Sequence, residues 1–324
     1  MTDREVFFET VRFGKPDRML FGVPSYGLGY MGVNHQGFDD NDHDDGHNKP
    51  VGAKWVDIWG TGWEKEYPDV MGFPKINPLA EMSALSTYNW PDPNDERICS
   101  KIYEDKARYT DMDLIINGSH RDTLWEKAYM LVGMENMMDY FYSEPDYART
   151  VLHKIMDFQM GIAEHYIKNG VEMVGLGDDL GCQDRLLLSP YIINEFLAPE
   201  YKRLFDFYKD RDVLIGFHSC GHVEPILELF IELGVNILNP MQATANDFRR
   251  VISVTKGRMA ILGGISTKII MEGSDDDIRA VVKETIGILG AYGGYFCSAD
   301  QGMPFTEHSI EVLRDSVTSY PIGY

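Results

Sequence analysis

Val213-Leu214-Ile215-Gly216-Phe217-His218-Ser219-Cys220 is a short apolar run that ends in polar residues, and the amphipathic segment 223–233 that follows it stops at Gly234. An apolar run of this length bounded by polar residues reads as a buried strand, and apolar residues at helical spacing read as a helix facing a core. A glycine just past the last periodic residue is a helix stop. The stretch is therefore one strand–helix unit. Working outward, runs of the same kind recur at 20–24, 55–60, 113–117, 172–177, 235–239, 259–263 and 294–297, which makes eight. Helices are predicted at 135–142, 145–169, 189–209, 274–287 and 307–316. Ser189-Pro190 is a cap followed by proline at the first helical position, and Ser274 precedes three aspartates suited to the positive end of a helix dipole. Eight strands alternating with helices predict an α/β fold, a closed (β/α)8 TIM barrel in a single domain spanning 1–324. The rival, an open doubly wound sheet, lacks its glycine-rich phosphate turn.

Two stretches fall outside the alternation and read as loop insertions, 25–54 and 60–92. The first contains Asp39-Asp40-Asn41-Asp42-His43-Asp44-Asp45. Its spacing misses a calcium loop, because the glycine comes one position late and no glutamate stands at the twelfth, so a solvated loop is expected. The second reads as an inserted hairpin and a rigid turn around Trp90-Pro91.

Composition narrows the function. The 324 residues are 44% hydrophobic and 25% charged, as an ordinary globular chain is, and the net charge is −21. Such a chain repels phosphate backbones and anionic membranes, so neither nucleic acid nor membrane is an expected partner. With no long apolar run and no signal-peptide pattern at the N-terminus, a cytoplasmic location is expected, and the four cysteines read as thiols or metal ligands rather than disulfides.

A TIM barrel places its chemistry at the C-terminal ends of its strands. Those ends carry Tyr26, Asn117, Asp178, Asp179, His218, Cys220, Gln242, Cys297 and Asp300. His218 and Cys220 are two apart, so alternation puts them on one face. Taken alone, an H-x-C pair is more often core packing than a metal site. Cys297, at another strand end, supplies a third soft donor. One imidazole and two thiolates select zinc, and three protein ligands leave the fourth position open, as catalytic zinc requires. Asp178 and Asp179 are candidate catalytic acid/base groups, with loop capping an equally good reading. Tyr26, Asn117, Gln242 and Asp300 are candidate substrate-binding residues. Trp55, Trp59, Trp63 and Phe305 are candidates for an aromatic rim.

At this point the chain resembles the uroporphyrinogen decarboxylase superfamily, and within it the zinc-dependent corrinoid methyltransferases. The residues that carry the resemblance are Gly14-Lys15-Pro16-Asp17-Arg18, Gly133-Met134-Glu135-Asn136, Gly177-Asp178-Asp179-Leu180-Gly181, Leu188-Ser189-Pro190, Asn239-Pro240, and the zinc motif His218-Ser219-Cys220 with Cys297 far downstream. The decarboxylase's arginine-rich stretch after the first strand is matched here by residues 25–32, which hold no arginine. Porphyrinogen decarboxylation is therefore not expected. In thiol-methylating members a glutamate follows the H-x-C by about two dozen residues. Ungapped counting puts Gln242 there.

The resemblance implies a zinc cofactor, a corrinoid (cobalamin) on a partner protein, a small methoxylated aromatic substrate such as vanillate and, as an option, a second copy of the chain. The implied reaction is O-demethylation, moving the ether methyl to the cobalt(I) of the corrinoid protein. Transfer from a methylated corrinoid protein to a coenzyme-M-like thiol or to tetrahydrofolate is the rival enzyme reading. A catalytically silent barrel that only binds a corrinoid partner or a ligand is the rival of another class.

Overall fold

The computed structural model describes residues 1–38 and 46–322. The acidic run 39–45, read above as a solvated loop, lies outside the described residues. Ten strands follow one another: β1 (Ser25–Leu28), β2 (Lys54–Val56), β3 (Gly62–Glu64), β4 (Phe73–Ile76), β5 (Ile115–His120), β6 (Met173–Gly177), β7 (Leu214–His218), β8 (Ile237–Met241), β9 (Ala260–Ile265) and β10 (Tyr295–Ala299). Seven of them pair in parallel in the order β1-β5-β6-β7-β8-β9-β10, a TIM-barrel-like sheet with helices packed outside. The helices include Pro145–Lys168, Ala198–Lys209, Leu227–Leu233 and Asp275–Leu289, and their apolar stripes bury against the outer face of the sheet.

The eighth expected barrel strand is not one. Residues 54–56 join the hairpin β3–β4 in a separate antiparallel sheet, ordered β2-β3-β4. The aromatic run that suggests a buried barrel strand serves this small sheet instead: Trp55 lies opposite Trp63 across it. The remaining strands sit one to five residues later than expected. β5 runs on through Asn117-Gly118-Ser119-His120, and β1 starts at Ser25 where an insertion was read. Strand ends that enter a polar mouth lose the apolar signature while keeping the ladder.

The N-terminal end of the barrel is closed by the helix Asp3–Val11, whose Thr2 and Glu5 form a capping box. Val6, Phe7 and Val11 cluster with Ile115, Met173, Ile237, Ala260 and Phe296, the first inward residues of five strands. Gathering these starts into one cluster requires the sheet to be curled. Arg4 holds the helix down, donating to Glu172 (Nη1 to Oε2, 2.8 Å) and to the carbonyl of Leu114 (3.3 Å). No helix among the described residues is long and apolar enough to cross a membrane.

Candidate metal centre at the barrel mouth

The loops after β6 and β7 cross at a point where only glycine fits. A Cβ on Gly221 would lie 2.5 Å from the carbonyl oxygen of Cys182, and one on Gly181 would lie 2.6 Å from that of Cys220. Gly221 also takes φ +82°, which a side chain disfavours. The crossing is tied by His222 N–H to the Cys182 carbonyl (2.7 Å), and Asp179 Oδ1 accepts from Cys220 N–H (2.8 Å). Residues 41 apart in sequence are thus locked side by side.

The outcome is a cluster of three. His218 Nε2 lies 3.4 Å from Cys220 Sγ and 3.5 Å from Asp179 Oδ1, and all three donor atoms fall within 4.8 Å of one another. Zinc bonds of about 2.1 Å to nitrogen and about 2.3 Å to sulfur, at tetrahedral angles, separate ligand atoms by about 3.5 Å, so the spacing fits. Orientation fits too. Asn239 Oδ1 can only accept, and at 3.0 Å from Nδ1 it fixes the proton there and leaves the Nε2 lone pair facing the cluster. Burial, with Asp179 beside it, pushes the Cys220 thiol up to about 12, so the pocket withholds a thiolate until a cation is present. Gln301 donates Nε2–H to Cys220 Sγ (3.2 Å) and stands over the cluster from the loop beyond β10.

Cys297, expected as the third ligand, is not in this cluster. β10 runs two residues past it, so Cys297 is mid-strand, and parity decides its side. Phe296 faces the interior plug, whereas Tyr295 and Cys297 belong to the outer core beneath the helices. Cys297 is fully buried there, and its thiol is pushed up to about 12 by that burial. Asp179 occupies the place in the cluster that Cys297 was expected to fill.

The other candidates divide. Asp178 is fully buried, and its carboxylate accepts from Leu124 N–H (2.9 Å), Glu126 N–H (2.7 Å) and the Tyr201 hydroxyl (2.6 Å). These bonds tie it to the start of the helix Trp125–Val132, and burial pushes its carboxyl up to about 7. Asp300 is likewise spent on Ala243 N–H and on Thr267 N–H and Oγ1. Gln242 is not a donor in the cluster. It accepts from Gly221 N–H (2.9 Å) and donates to Gln183, and so braces the loop that carries Cys220. Tyr26 points outward, where its hydroxyl bonds the Asp105 carbonyl and its ring meets Tyr109. Asn117 lies beside Gly175 inside the barrel, and its buried Oδ1 has no hydrogen-bond partner among the described residues. Of the expected aromatic rim, Trp59 and Trp63 are buried instead, with Trp63 stacked on His35 at 4.0 Å.

A cavity of about 460 Å³ opens beside the cluster, lined among others by Ser119, Arg121, Asp122, Glu126, Asp179 and His218. Burial raises Asp122, but its contact with buried His35, together with Lys127 and Arg121, outweighs that and holds the carboxyl well below its usual range. Glu126 goes the other way: burial, then the charges of Asp122, Asp178 and Asp179, push it up to about 9.

The family model described as uroporphyrinogen decarboxylase matches residues 123–319, over half of the chain. The chain belongs to the uroporphyrinogen decarboxylase family. It is 23% identical over 156 residues to a methylcobamide:CoM methyltransferase of Methanosarcina mazei, a match spanning 46% of this chain and 44% of that one, so less than half of that curated relative is covered. A solved methyltransferase from Methanosarcina mazei superposes over 98% of both chains with a TM-score of 0.69 at 15% identity, which establishes the shared fold.

For a uroporphyrinogen decarboxylase family member, the mouth holds more chemistry than the sequence discloses. Arg121 and Asp122 escape notice because β5 ends three residues later than its apolar run suggests. Had Gly118-Ser119-His120 been taken as strand, Arg121 and Asp122 would have stood at a strand end with the rest. Glu126 carries no such signal, since an acid in the first turn of a helix is read as a partner of the helix dipole.

Proposed function

We propose that the chain is a methyltransferase that exchanges a methyl group between a corrinoid carried by a partner protein and a heteroatom of a small molecule seated in the mouth cavity. The carrying observation is the donor set Asp179, His218 and Cys220, spaced for zinc and opening on a cavity. Those three residues would hold the metal, which when bound supplies a Lewis acid at the heteroatom. The chain's own residues do the rest. Asn239 fixes the imidazole tautomer, and Gln242 and the glycine crossing hold Cys220 against Asp179. Family membership and the named relative support methyl transfer. The carboxylates of Asp122 and Asp179 on the cavity wall oppose a porphyrinogen bearing many carboxylates.

Two directions remain, and they make opposite demands on a proton. A methoxylated aromatic such as vanillate, giving its methyl to cobalt(I), leaves an oxygen that must gain one. A thiol taking a methyl must lose one. The relative's name favours the thiol, and so does Asp179, because an anionic ligand raises the nucleophilicity of a metal-bound thiolate. Gln242 favours neither direction, since its amide is committed to Gly221 and Gln183. The test uses the full chain loaded with zinc. With methoxyarenes and free cob(I)alamin, or with methylcobalamin and a thiol, the methylcobalamin spectrum should appear or disappear. If metal-replete protein does neither, the enzyme reading fails and a binding barrel is left.

A further inference from the structure

We propose that the middle layer of the barrel interior is a chamber for a flat ring of the substrate, seated below the metal cluster against the backbone of Gly175 and Gly216. The inference rests on the methyltransferase reading. It adds a substrate class, a ring-bearing thiol or ether, whichever way the methyl moves.

A TIM barrel is ordinarily filled by layers of bulky, branched side chains. The lowest layer obeys, with Ile115, Met173, Ile237, Ala260 and Phe296 buried against the N-terminal helix. Alternation puts the next inward residue of each strand two positions on. Those residues are Asn117, Gly175, Asn239, Leu262 and Ser298, with Gly216 beside them on β7. The residues between them, Ile116, Val174, Ile215, Leu238 and Cys297 among others, pack in the outer core. Although they point into the barrel, Asn117, Gly175, Asn239, Leu262 and Ser298 are only half-buried. The layer is hollow.

The two glycines are the sharper sign. Gly175 and Gly216 pair across β6 and β7, the strands that lead to Asp179 and His218. Neither takes a left-handed backbone. A Cβ on Gly216 would meet nothing nearer than the Val174 carbonyl oxygen at 3.5 Å, and one on Gly175 nothing nearer than Asn117 Nδ2 at 3.6 Å, both ordinary contacts. The fold therefore has no need of glycine at either position, in contrast to Gly181 and Gly221 on the crossing loops. Glycine inside a strand weakens it and marks a place where another group approaches the backbone closely. None of the described residues makes that approach, so the approaching group is a bound molecule. Asn117 is an independent sign. Its amide borders the space above Gly175, and its buried Oδ1 is an open acceptor, a defect that a bound molecule removes.

The shape of the chamber sets the class. Paired glycines expose adjacent peptide planes as a flat wall, Leu262 supplies apolar contact, and the layer holds no charged side chain. A flat, uncharged ring fits such a wall. The cavity runs from Gly175 past Gly177 to His218 and Asp179, so a heteroatom on the ring's edge reaches the cluster. Its volume of about 460 Å³ is that of a small-molecule site, and a two-carbon thiol would leave most of it empty.

The experiment measures binding of thiophenol and of ethanethiol to zinc-loaded full-length protein by calorimetry, for wild type, Gly175→Ala and Gly216→Ala. One methylene misfitted in an apolar pocket changes binding roughly 10–200-fold. Each variant should lose about tenfold or more in thiophenol affinity, keep its ethanethiol affinity and one zinc per chain, and melt no lower than wild type. Equal losses on both probes, or thiophenol affinity unchanged in both variants, overturn the chamber. So does loss of the fold in both variants, which would make glycine a backbone requirement. Wild type that methylates ethanethiol from methylcobalamin yet binds thiophenol no more tightly overturns this inference and leaves the methyltransferase reading intact. No methyl transfer by metal-replete wild type, to either thiol or from methoxybenzene, sinks that reading and the substrate assignment with it, even where the binding ratios hold.

Discussion

The two ends of the barrel are built from the same strands and solve opposite problems. At the N-terminal end five strands contribute a buried apolar residue, the helix Asp3–Val11 presses Val6, Phe7 and Val11 onto them, and the charge pair Arg4–Glu172 lies at the edge. At the C-terminal end the inward positions carry His218, Asn239 and Ser119, and the loops above add Arg121, Asp122, Glu126 and Asp179. Burying apolar area stabilises by about 25 cal/mol per Å². Crowding carboxyls costs free energy unless donors or cations answer them. The stable end makes the costly end affordable, and a TIM barrel separates the two by its length.

The largest effect expected from breaking this comparison is at the mouth. His218→Ala, Cys220→Ala and Asp179→Ala should each lose stoichiometric zinc, and with it any methyl transfer, while the melting temperature of the metal-free protein hardly moves. Asn239→Ala, which frees the imidazole tautomer, should cost about 10–100-fold in metal affinity. Cys297→Ala should keep one zinc per chain, since its thiol faces the outer core. Metal analysis on the set decides it: zinc lost with Cys297 and retained without Asp179 would restore the ligand set expected from sequence.

The complementary change at the other end is Phe7→Ala. Phe7 is fully buried and its ring meets Phe8 at 5.3 Å and Phe296 at 5.6 Å. Truncation should cost about 3–5 kcal/mol in denaturant unfolding, with zinc affinity of the folded fraction unchanged. A loss of metal affinity comparable to that of Asn239→Ala would mean the two ends are coupled.

The same division explains what is legible in the sequence. Parallel strands buried on both faces read as apolar runs, so β5 to β10 are found while β1 falls just past its expected run at 20–24, and helices announced by caps such as Ser189-Pro190 and Ser274 are found with them. The run at 55–60 misleads, because an aromatic run cannot say which sheet it joins. At the site, His218 and Cys220 are legible from their spacing within one strand end. Asp179 is legible as a residue but not as a member of the cluster, for its place depends on two glycines on crossing loops. Cys297 stands apart from the cluster because an apolar run does not disclose its parity: Phe296 faces inward, so Cys297 faces the outer core. Arg121, Asp122 and Glu126 are hidden by strand and helix contexts that make polar residues unremarked.

One further expected effect ties the comparison to pH. Glu126 has an ordinary value of 4.5 and is pushed up to about 9 in the folded chain, first by burial and then by Asp122, Asp178 and Asp179. Between those values the unfolded chain has released this proton and the folded chain has kept it. The folded state binds more protons, so stability falls as pH rises. The contribution is fully present below about pH 4.5 and is gone once pH passes about 9. Glu126→Gln cannot titrate, and metal-free variant protein should therefore show a flatter decline in melting temperature across that window than metal-free wild type. Phe7→Ala, at the far end, should lower the whole curve and leave its slope alone. If Glu126→Gln instead shifts the curve downward in parallel, the side chain matters for packing and its proton does not.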